Sequence, residues 1–555
     1  LQLKGELSME MHFATLWEQI AAQIPQRTAL IHGERKVAWG PYQERAACIA
    51  QFLHQQGLGH DSKMGLYLYN SPEYMEAQFA GFKIRGVPVN VNYRYLEDEL
   101  VYLLDNSDSE ALFFHGRFAE RIANIRHKLP KVRCLIQVED GSGAPLLAGA
   151  HDYEQIIRTH APMAPIERGW DDTYMLYTGG TTGMPKGVMY KLGEMCAGFL
   201  APFEARGVSP PPATIEETLA AIKRLEPAGL LPVTLVACPL MHGTGMWLGA
   251  MMPHNMGGTV VTLAGTKFDA DELWAAVQRE RVTDIVIVGD AFAKPMLDAL
   301  RAAQAAGRSY DISSVRFISS SGVMWTQEVK AGLLEFGDMI LNDGLGSTEG
   351  GMGRSLTTRA NIGETAKFQM MESTKVFDDN DEEVKPGSGA IGMIAQAGRV
   401  PTGYYKDPEK SAKTFRTIRG LRYSFPGDFA TVEADGTIRL LGRGSMCINT
   451  MGEKVYPEEV EEAIKTHPAV YDCLVVGVKD PKYGERVAAV VSLRPGQQAD
   501  QQTLIDHVAH RLAGYKKPRN IFIVDEVQRA SNGKADYKWA RSRADEEARK
   551  LEMGG

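Results

Sequence analysis

Cysteine is scarce and scattered in this chain: six among 555 residues (Cys48, Cys134, Cys196, Cys238, Cys447, Cys473), with no Cys-x-x-Cys pair and no Cys/His cluster. That pattern excludes a disulfide framework and a structural zinc site, and it suits a reducing cytoplasm. Long apolar runs are missing as well. None approaches the roughly 20 residues that span a bilayer, and the early residues lack the basic-then-apolar layout of a secretory signal; residues 1–10 are left out of the reading. Nor is there an excess of positive charge: 61 Lys and Arg against 69 Asp and Glu give a net charge of -8, which argues against nucleic acid as a partner. An anionic nucleotide would then need a local site. No repeat or low-complexity tract appears.

What is present is a large amphipathic chain. With 44% apolar and 23% charged residues over 555, it can bury a sizeable core and divide into at least two domains. Short β-prone runs at 65–69, 86–91, 110–114 and 133–138 alternate with helical patterns, as stacked βαβ units do. A Pro-rich break at 209–212 precedes Thr214-Ile-Glu-Glu217 and apolar positions Ile215, Leu219, Ile222 and Leu225 at helical spacing, which predicts an inserted helix near the mouth of a site. Strands follow at 284–288, 315–318 and 339–341, then a hairpin around Asp435-Gly436. After Gly442-Arg-Gly-Ser445 the order β, α, β, β, α, β predicts a small C-terminal domain on a glycine-bearing joint. The fold class is therefore α/β: a large N-terminal domain of stacked βαβ sheets plus a β subdomain (12–442), and a small α+β C-terminal domain (443–555) on a hinge.

Residues 177–188 read Tyr-Thr-Gly-Gly-Thr-Thr-Gly-Met-Pro-Lys-Gly-Val after a short apolar strand. Gly179, Gly180 and Gly183 bring backbone N–H groups close to an anion, Thr178, Thr181 and Thr182 add hydroxyls, and Lys186 adds a cation, so the run suits a polyphosphate. A Walker loop would place Lys-Ser/Thr directly after the last glycine and open a helix. Here Lys186 stands three residues after Gly183 and is followed by Gly187-Val188, which disfavours a P-loop enzyme.

This loop resembles the signature of the adenylate-forming superfamily of acyl-CoA synthetases, peptide-synthetase adenylation domains and luciferases. Further segments resemble that family in the same order, from Ala80-Gly-Phe-Lys-Ile-Arg-Gly-Val-Pro-Val-Asn-Val91 to Lys534. Gly344-Leu-Gly-Ser-Thr-Glu349 resembles the Tyr-Gly-x-Thr-Glu element, with Leu345 in place of the ring that stacks on adenine. The resemblance implies a nucleotide site that includes Ser321, Gly322, Asp343, Gly344, Leu345 and Thr348, with Mg²⁺ at Thr178 and Glu349. Asp428 resembles the acid that grips both ribose hydroxyls, a task for which a carboxylate has the lone pairs, and Arg443 its companion arginine. Arg529-Ala-Ser-Asn-Gly-Lys534 resembles the terminal motif whose lysine serves adenylation, so Lys534, Glu349 and Thr178 are the expected catalytic groups. Pro239-Leu-Met-His242-Gly-Thr-Gly245 resembles the segment that gates the acyl pocket; His242, Gly243, Trp247, Gly289 and Gly346 are the expected pocket residues. Thr450-Met-Gly-Glu453, with Gly452 and Glu453, resembles the loop that lines the pantetheine channel, and Ser445 stands at the hinge where relatives often carry Asp or Lys.

The pairing of the signature loop with Pro-Leu-Met-His-Gly-Thr-Gly is most similar to bacterial fatty-acyl and sterol-side-chain acyl-CoA ligases. The resemblance implies ATP, Mg²⁺ and coenzyme A as cofactors, a hydrophobic carboxylic acid as substrate, and a homodimer. Two alternatives stay open: transfer of the acyl group to a carrier-protein phosphopantetheine, and a nonenzymatic nucleotide sensor on the same scaffold.

Overall fold

The computed structural model describes residues 11–178, 184–362, 364–450, 453–480, 484–509, 511–530 and 533–553. Its centre is a parallel array in which apolar runs sit side by side: Leu235 is in register with Ile285, Ile285 with Ile318, and Ile318 with Leu341. Strands buried on both faces read as continuous Val/Ile/Leu runs, as in Asp284–Ile287 and Thr259–Thr262. A second parallel sheet is centred on Lys63–Tyr67, between Val87–Asn90 and Ser109–His115 and extended by Cys134–Val138. These are the strands expected from the βαβ alternation.

Beyond Ile340–Ser347 the main sheet turns antiparallel through Gly350–Thr357 and runs into the β subdomain. Asp428–Val432 and Ile438–Arg443 form the expected hairpin there, with Gly436 at φ +80° and Thr437 N–H donating to Asp435. Arg443 pairs in register with Asp428, so this strand runs one residue past 442. A short helical turn, Gly444–Met446, carries the backbone of Ser445.

The small domain is a five-stranded sheet built on Val470–Asp480 and Gly484–Leu493, with Asn520–Val524 parallel at one side. Helices Pro457–Lys465 and Gln501–Ala509 cover it as expected. A further helix, Tyr537–Met553, was not anticipated. Its Ala540, Ala544 and Ala548 recur every four residues and pack on Leu474, Val476 and Val490, an apolar stripe too slight to stand out in a segment otherwise rich in charge.

The inserted helix forms at Ile215–Leu225, capped by Thr214 accepting from Glu217 N–H at 3.1 Å. Its position differs from the expectation. Gln23 of the helix Phe13–Gln23 donates to Leu219 O, and Ile222 lies against Gly257, so the helix braces the N-terminal helix instead of flanking a site. Among the described residues no helix is long and apolar enough to cross a membrane.

Candidate active site

A cavity of about 910 Å³ opens where the parallel strands end, the position at which open α/β sheets bind ligands. Thr178 closes the strand Thr173–Thr178; Ser321 closes Phe317–Ser321; Gly344 to Ser347 form the end of Ile340–Ser347, and all line the cavity. The Gly344–Glu349 element is thus largely strand, with its turn only at Ser347 to Gly350. Asn90 ties the walls together. Its amide donates to Tyr177 O (2.8 Å) and Met241 O (2.7 Å) and accepts from Tyr177 N–H (2.6 Å). Nothing in the sequence beyond its place in a strand end pointed to it.

Gly322, Leu345, Gly346 and Thr348 line the cavity, with Leu345 held in the apolar cluster of the β subdomain. Asp428 and Arg443 stand outside the cavity lining; Asp428 is buried beside Arg443, whose Nε donates to its Oδ1 at 3.2 Å. Its Oδ2 is buried without a partner among the described residues. A buried acceptor left in this state costs about 1–3 kcal/mol, which a ligand hydroxyl would offset. The neighbouring Asp428 carboxylate raises the Arg443 guanidinium above its ordinary value.

Lys534 comes from the small domain and enters this cavity. A side chain at Gly322 would touch its Cε at 3.6 Å. Protein surrounds the ammonium while cavity space leaves it accessible; burial and then Arg443 push its pKa down, and Glu349 and Asp428 oppose that shift. The loop is tied at both ends. Arg529 chelates Asp472 (2.6 and 2.7 Å) and donates to Gly533 O, while Gly533, at φ +73°, leaves room for only 2.8 Å between an added Cβ and Ala291 of the large domain. Lys294 of the large domain donates to Tyr471 O across the same junction.

Glu349 stands between the lining residues Thr348 and Gly350 but outside the lining itself, accepting from Tyr404 Oη at 2.8 Å, and Tyr190 Oη donates to Thr348 O. The apolar wall is a π-helix, Thr244–Met251, a geometry that concentrates at functional sites. Gly245 fits there because a Cβ would collide with Pro239 O. Trp247 packs over Gly243 and donates to Tyr174 Oη at 2.8 Å. His242 lines the cavity with Nε2 buried and without a partner among the described residues; burial, Lys534 and Arg94 push its pKa down to about 3, so it is a neutral wall. Met195, Phe199 and Met252 complete this side.

Several expected residues stand elsewhere. The carboxylate of Asp343 is not in the lining: it is buried and accepts from Lys330 Nζ at 2.8 Å beneath the floor. Gly289 is a packing glycine at φ +52°, where a Cβ would come within 2.5 Å of Met324 O, and it does not face the pocket. Lys186 sits opposite Thr178 in the hairpin but pairs with Asp407 at 2.9 Å, outside the lining. Glu453 is exposed on the small domain. Gly179, Gly180, Thr181, Thr182 and Gly452 lie outside the described residues. Among the described residues no group of three His, Cys, Asp or Glu could hold a metal.

The profile of the AMP-binding enzyme family matches residues 17–405 and that of the AMP-binding enzyme C-terminal domain residues 459–534. This chain belongs to the AMP-binding enzyme family. Among such adenylate-forming enzymes it is 40% identical over 543 residues to a 3-oxocholest-4-en-26-oate–CoA ligase of Rhodococcus rhodochrous, covering 96% of both chains. It is 39% identical to a medium/long-chain-fatty-acid–CoA/3-oxocholest-4-en-26-oate–CoA ligase of Mycolicibacterium smegmatis, covering 97% of both. The structure of the anthranilate CoA ligase AuaEII with anthranoyl-AMP superposes with a TM-score of 0.81 at 22% identity, over 98% of this chain and 99% of that one. That likeness establishes the AMP-binding enzyme fold.

Proposed function

We propose that the protein is an AMP-forming acid–thiol ligase that joins a hydrophobic carboxylic acid, of the medium- or long-chain fatty or steroid-side-chain type, to coenzyme A. The observation that carries this reading is Lys534: a lysine from one domain enters a cavity of the other, facing the Asp428–Arg443 pair and an apolar wall. The names of the relatives support the substrate class.

In the first half-reaction a carboxylate oxygen of the acid attacks the α-phosphorus of ATP; the new O–P bond forms as the bond to pyrophosphate breaks. Negative charge gathers on the phosphoryl oxygens, and Lys534 in this enclosed site offsets it. Asp428 Oδ2 accepts from the ribose, Gly344, Leu345 and Thr348 border the base and α-phosphate, and Ser321 and Gly322 leave room for both. His242, Gly243 and Trp247 bound the acyl group. Mg²⁺ needs few protein oxygens when phosphates supply the rest. The Glu349 carboxylate and the Thr178 hydroxyl fit that requirement, and the ion would neutralise phosphate charge; Lys186 would meet the same phosphates once released from Asp407.

In the second half-reaction the thiol sulfur attacks the acyl carbon, AMP leaves, and the thiol proton is lost to solvent. A thiol of pKa about 8.5 supplies enough thiolate near neutrality. Lys534 must withdraw for this step. We place the boundary at 442/443, with the small domain turning about Ser445 and bringing Gly452 and Glu453 to the pantetheine channel. A homodimer follows the family resemblance and is checked by light scattering.

The test is pyrophosphate release across acids from acetate to long-chain and sterol carboxylates, with and without CoA. The reading requires continuous turnover only with CoA, and bulky acids favoured over acetate by well above tenfold in kcat/KM. Single-turnover release that CoA cannot accelerate would assign a carrier-protein acceptor, and ATP binding without release would make the protein a sensor.

A further inference from the structure

The wall that leads away from Lys534 can be followed contact by contact. Gly322 lies between Lys534 and Thr244, the first residue of the π-helix; Trp247 of that helix covers Gly243 and meets the Phe199 ring at 6.3 Å between centroids. Phe199 follows Gly198, the last residue of the helix Leu192–Gly198. Beyond Thr244 the wall is apolar up to this point. At Gly198 it is not: Arg399 comes down on the helix so closely that a Cβ on Gly198 would stand 2.8 Å from its Nη1. Glu194, one turn earlier on the same helix face, lines the cavity with both of them.

Arg399 is aimed there by the backbone. Gly398, at φ +87°, turns the chain as it leaves the strand Ile391–Ala397, and Val400 N–H closes the turn on Gly398 O at 2.9 Å. Its neighbour Arg422 is held by the backbone, donating to Pro401 O (2.7 Å) and Thr402 O (3.1 Å) and lying over Phe415. Arg399 makes no hydrogen bond or ion pair among the described residues, and Glu194 is the acid that acts on it, from beyond ion-pair distance. A guanidinium carries five N–H donors. Arg399 is exposed to the cavity, so water meets these donors and a ligand acceptor could take its place.

Building on the acid-ligase reading, we propose that Arg399 and Glu194 recognise a neutral oxygen function, a keto or hydroxyl group, on the part of the acid remote from its carboxylate. A keto oxygen accepts from Arg399; a hydroxyl accepts from Arg399 and donates to Glu194. A second carboxylate would be drawn to the arginine and repelled by the glutamate, so the pair selects against dicarboxylic acids. A plain methyl end satisfies neither. The pair thus defines a substrate with an apolar middle and an oxygenated far end, a specificity that a purely apolar tunnel cannot provide.

The test compares kcat/KM for chain-matched fatty acids ending in methyl, hydroxyl or carboxylate, and for steroid-side-chain acids with and without a ring keto group, read by AMP formation with ATP and CoA. The oxygenated member of the better-accepted series is expected to lead its methyl or deoxy counterpart by about tenfold, the scale of one hydrogen bond to a charged group. Arg399→Met should collapse that ratio towards one. Glu194→Gln should raise the dicarboxylate relative to the hydroxy acid. Turnover of methyl-ended acids with no oxygen preference in either series, or a preference that survives Arg399→Met, would overturn the assignment while leaving the ligase reading intact. Absence of turnover with every acid would overturn both.

Discussion

The floor of the cavity and the lysine arm that enters it are held by opposite means. Beneath the floor, Lys330 and Asp343 form a buried ion pair at 2.8 Å within one domain, and the strands above it are locked in register. Lys534 rests on contacts between domains: Gly533 against Ala291, Lys294 on Tyr471 O, and Arg494 on Glu328 at 3.2 Å. The first pair makes a surface that must not move. The second set is small and separable, as the proposed withdrawal of Lys534 between half-reactions would require.

Lys534→Ala breaks the comparison most sharply. It should lower acyl-AMP formation by about 10³-fold, yet leave thioester formation from supplied acyl-AMP largely intact. Quenched single-turnover assays of the two half-reactions check this; equal losses in both would show that the lysine does not act by arrival and departure.

The counterpart in the floor is Lys330→Met. It leaves Asp343 as an uncompensated buried acid, at a cost of about 3–5 kcal/mol. A lower denaturation midpoint is expected, with ATP affinity per folded molecule little changed. An ATP KM raised without loss of stability would return Asp343 to the nucleotide site.

That pair also marks how far the sequence was legible. Continuous apolar strands, the Asp435-Gly436 turn and the order of motifs from Thr178 to Lys534 are local patterns, and the fold follows them. The fate of a charged side chain is not local. Asp343 looks like a site acid until Lys330, on the preceding helix, is found beneath it, and Lys186 looks like a free phosphate cation until Asp407, 221 residues away, is found beside it. Glycine was ambiguous for the same reason: Gly243 shapes the pocket, while Gly289 serves packing against Met324 O. Arg399 lay outside every motif because only the turn at Gly398 brings it to Gly198.

Gly533→Ala tests the arm without touching its charge. The left-handed φ of +73° and the 2.8 Å approach to Ala291 both oppose a methyl group. Adenylation should fall about tenfold, the effect of roughly 1.4 kcal/mol of misplacement, while thioesterification from supplied acyl-AMP stays near wild type. A change confined to the second half-reaction would mean that Gly533 serves the rotated arrangement instead.

The smallest effect concerns protons at the junction. Glu458, on the small domain's helix Pro457–Lys465, presses on Gly442 so closely that any Cβ there would collide with it, and its Oε2 has no partner among the described residues. Burial, then Glu461, push its pKa up from 4.5 to about 8, with Asp428 adding to the shift. The sign follows from where the proton is held. Below about pH 4.5 the carboxyl is neutral whether packed or released, and the packed arrangement carries no penalty. As pH rises from there towards 8, only the packed form keeps the proton, so packing grows less favourable until the group ionises. Domain packing should therefore weaken from about pH 4.5 to 8. Glu458→Gln, neutral throughout, should flatten that slope and raise the denaturation midpoint at pH 8.5 by about 2 °C, while leaving it near wild type at pH 5. A midpoint that falls at both pH values would show that the carboxyl accepts a proton-independent contact which glutamine cannot reproduce, and the junction would then owe nothing to protonation.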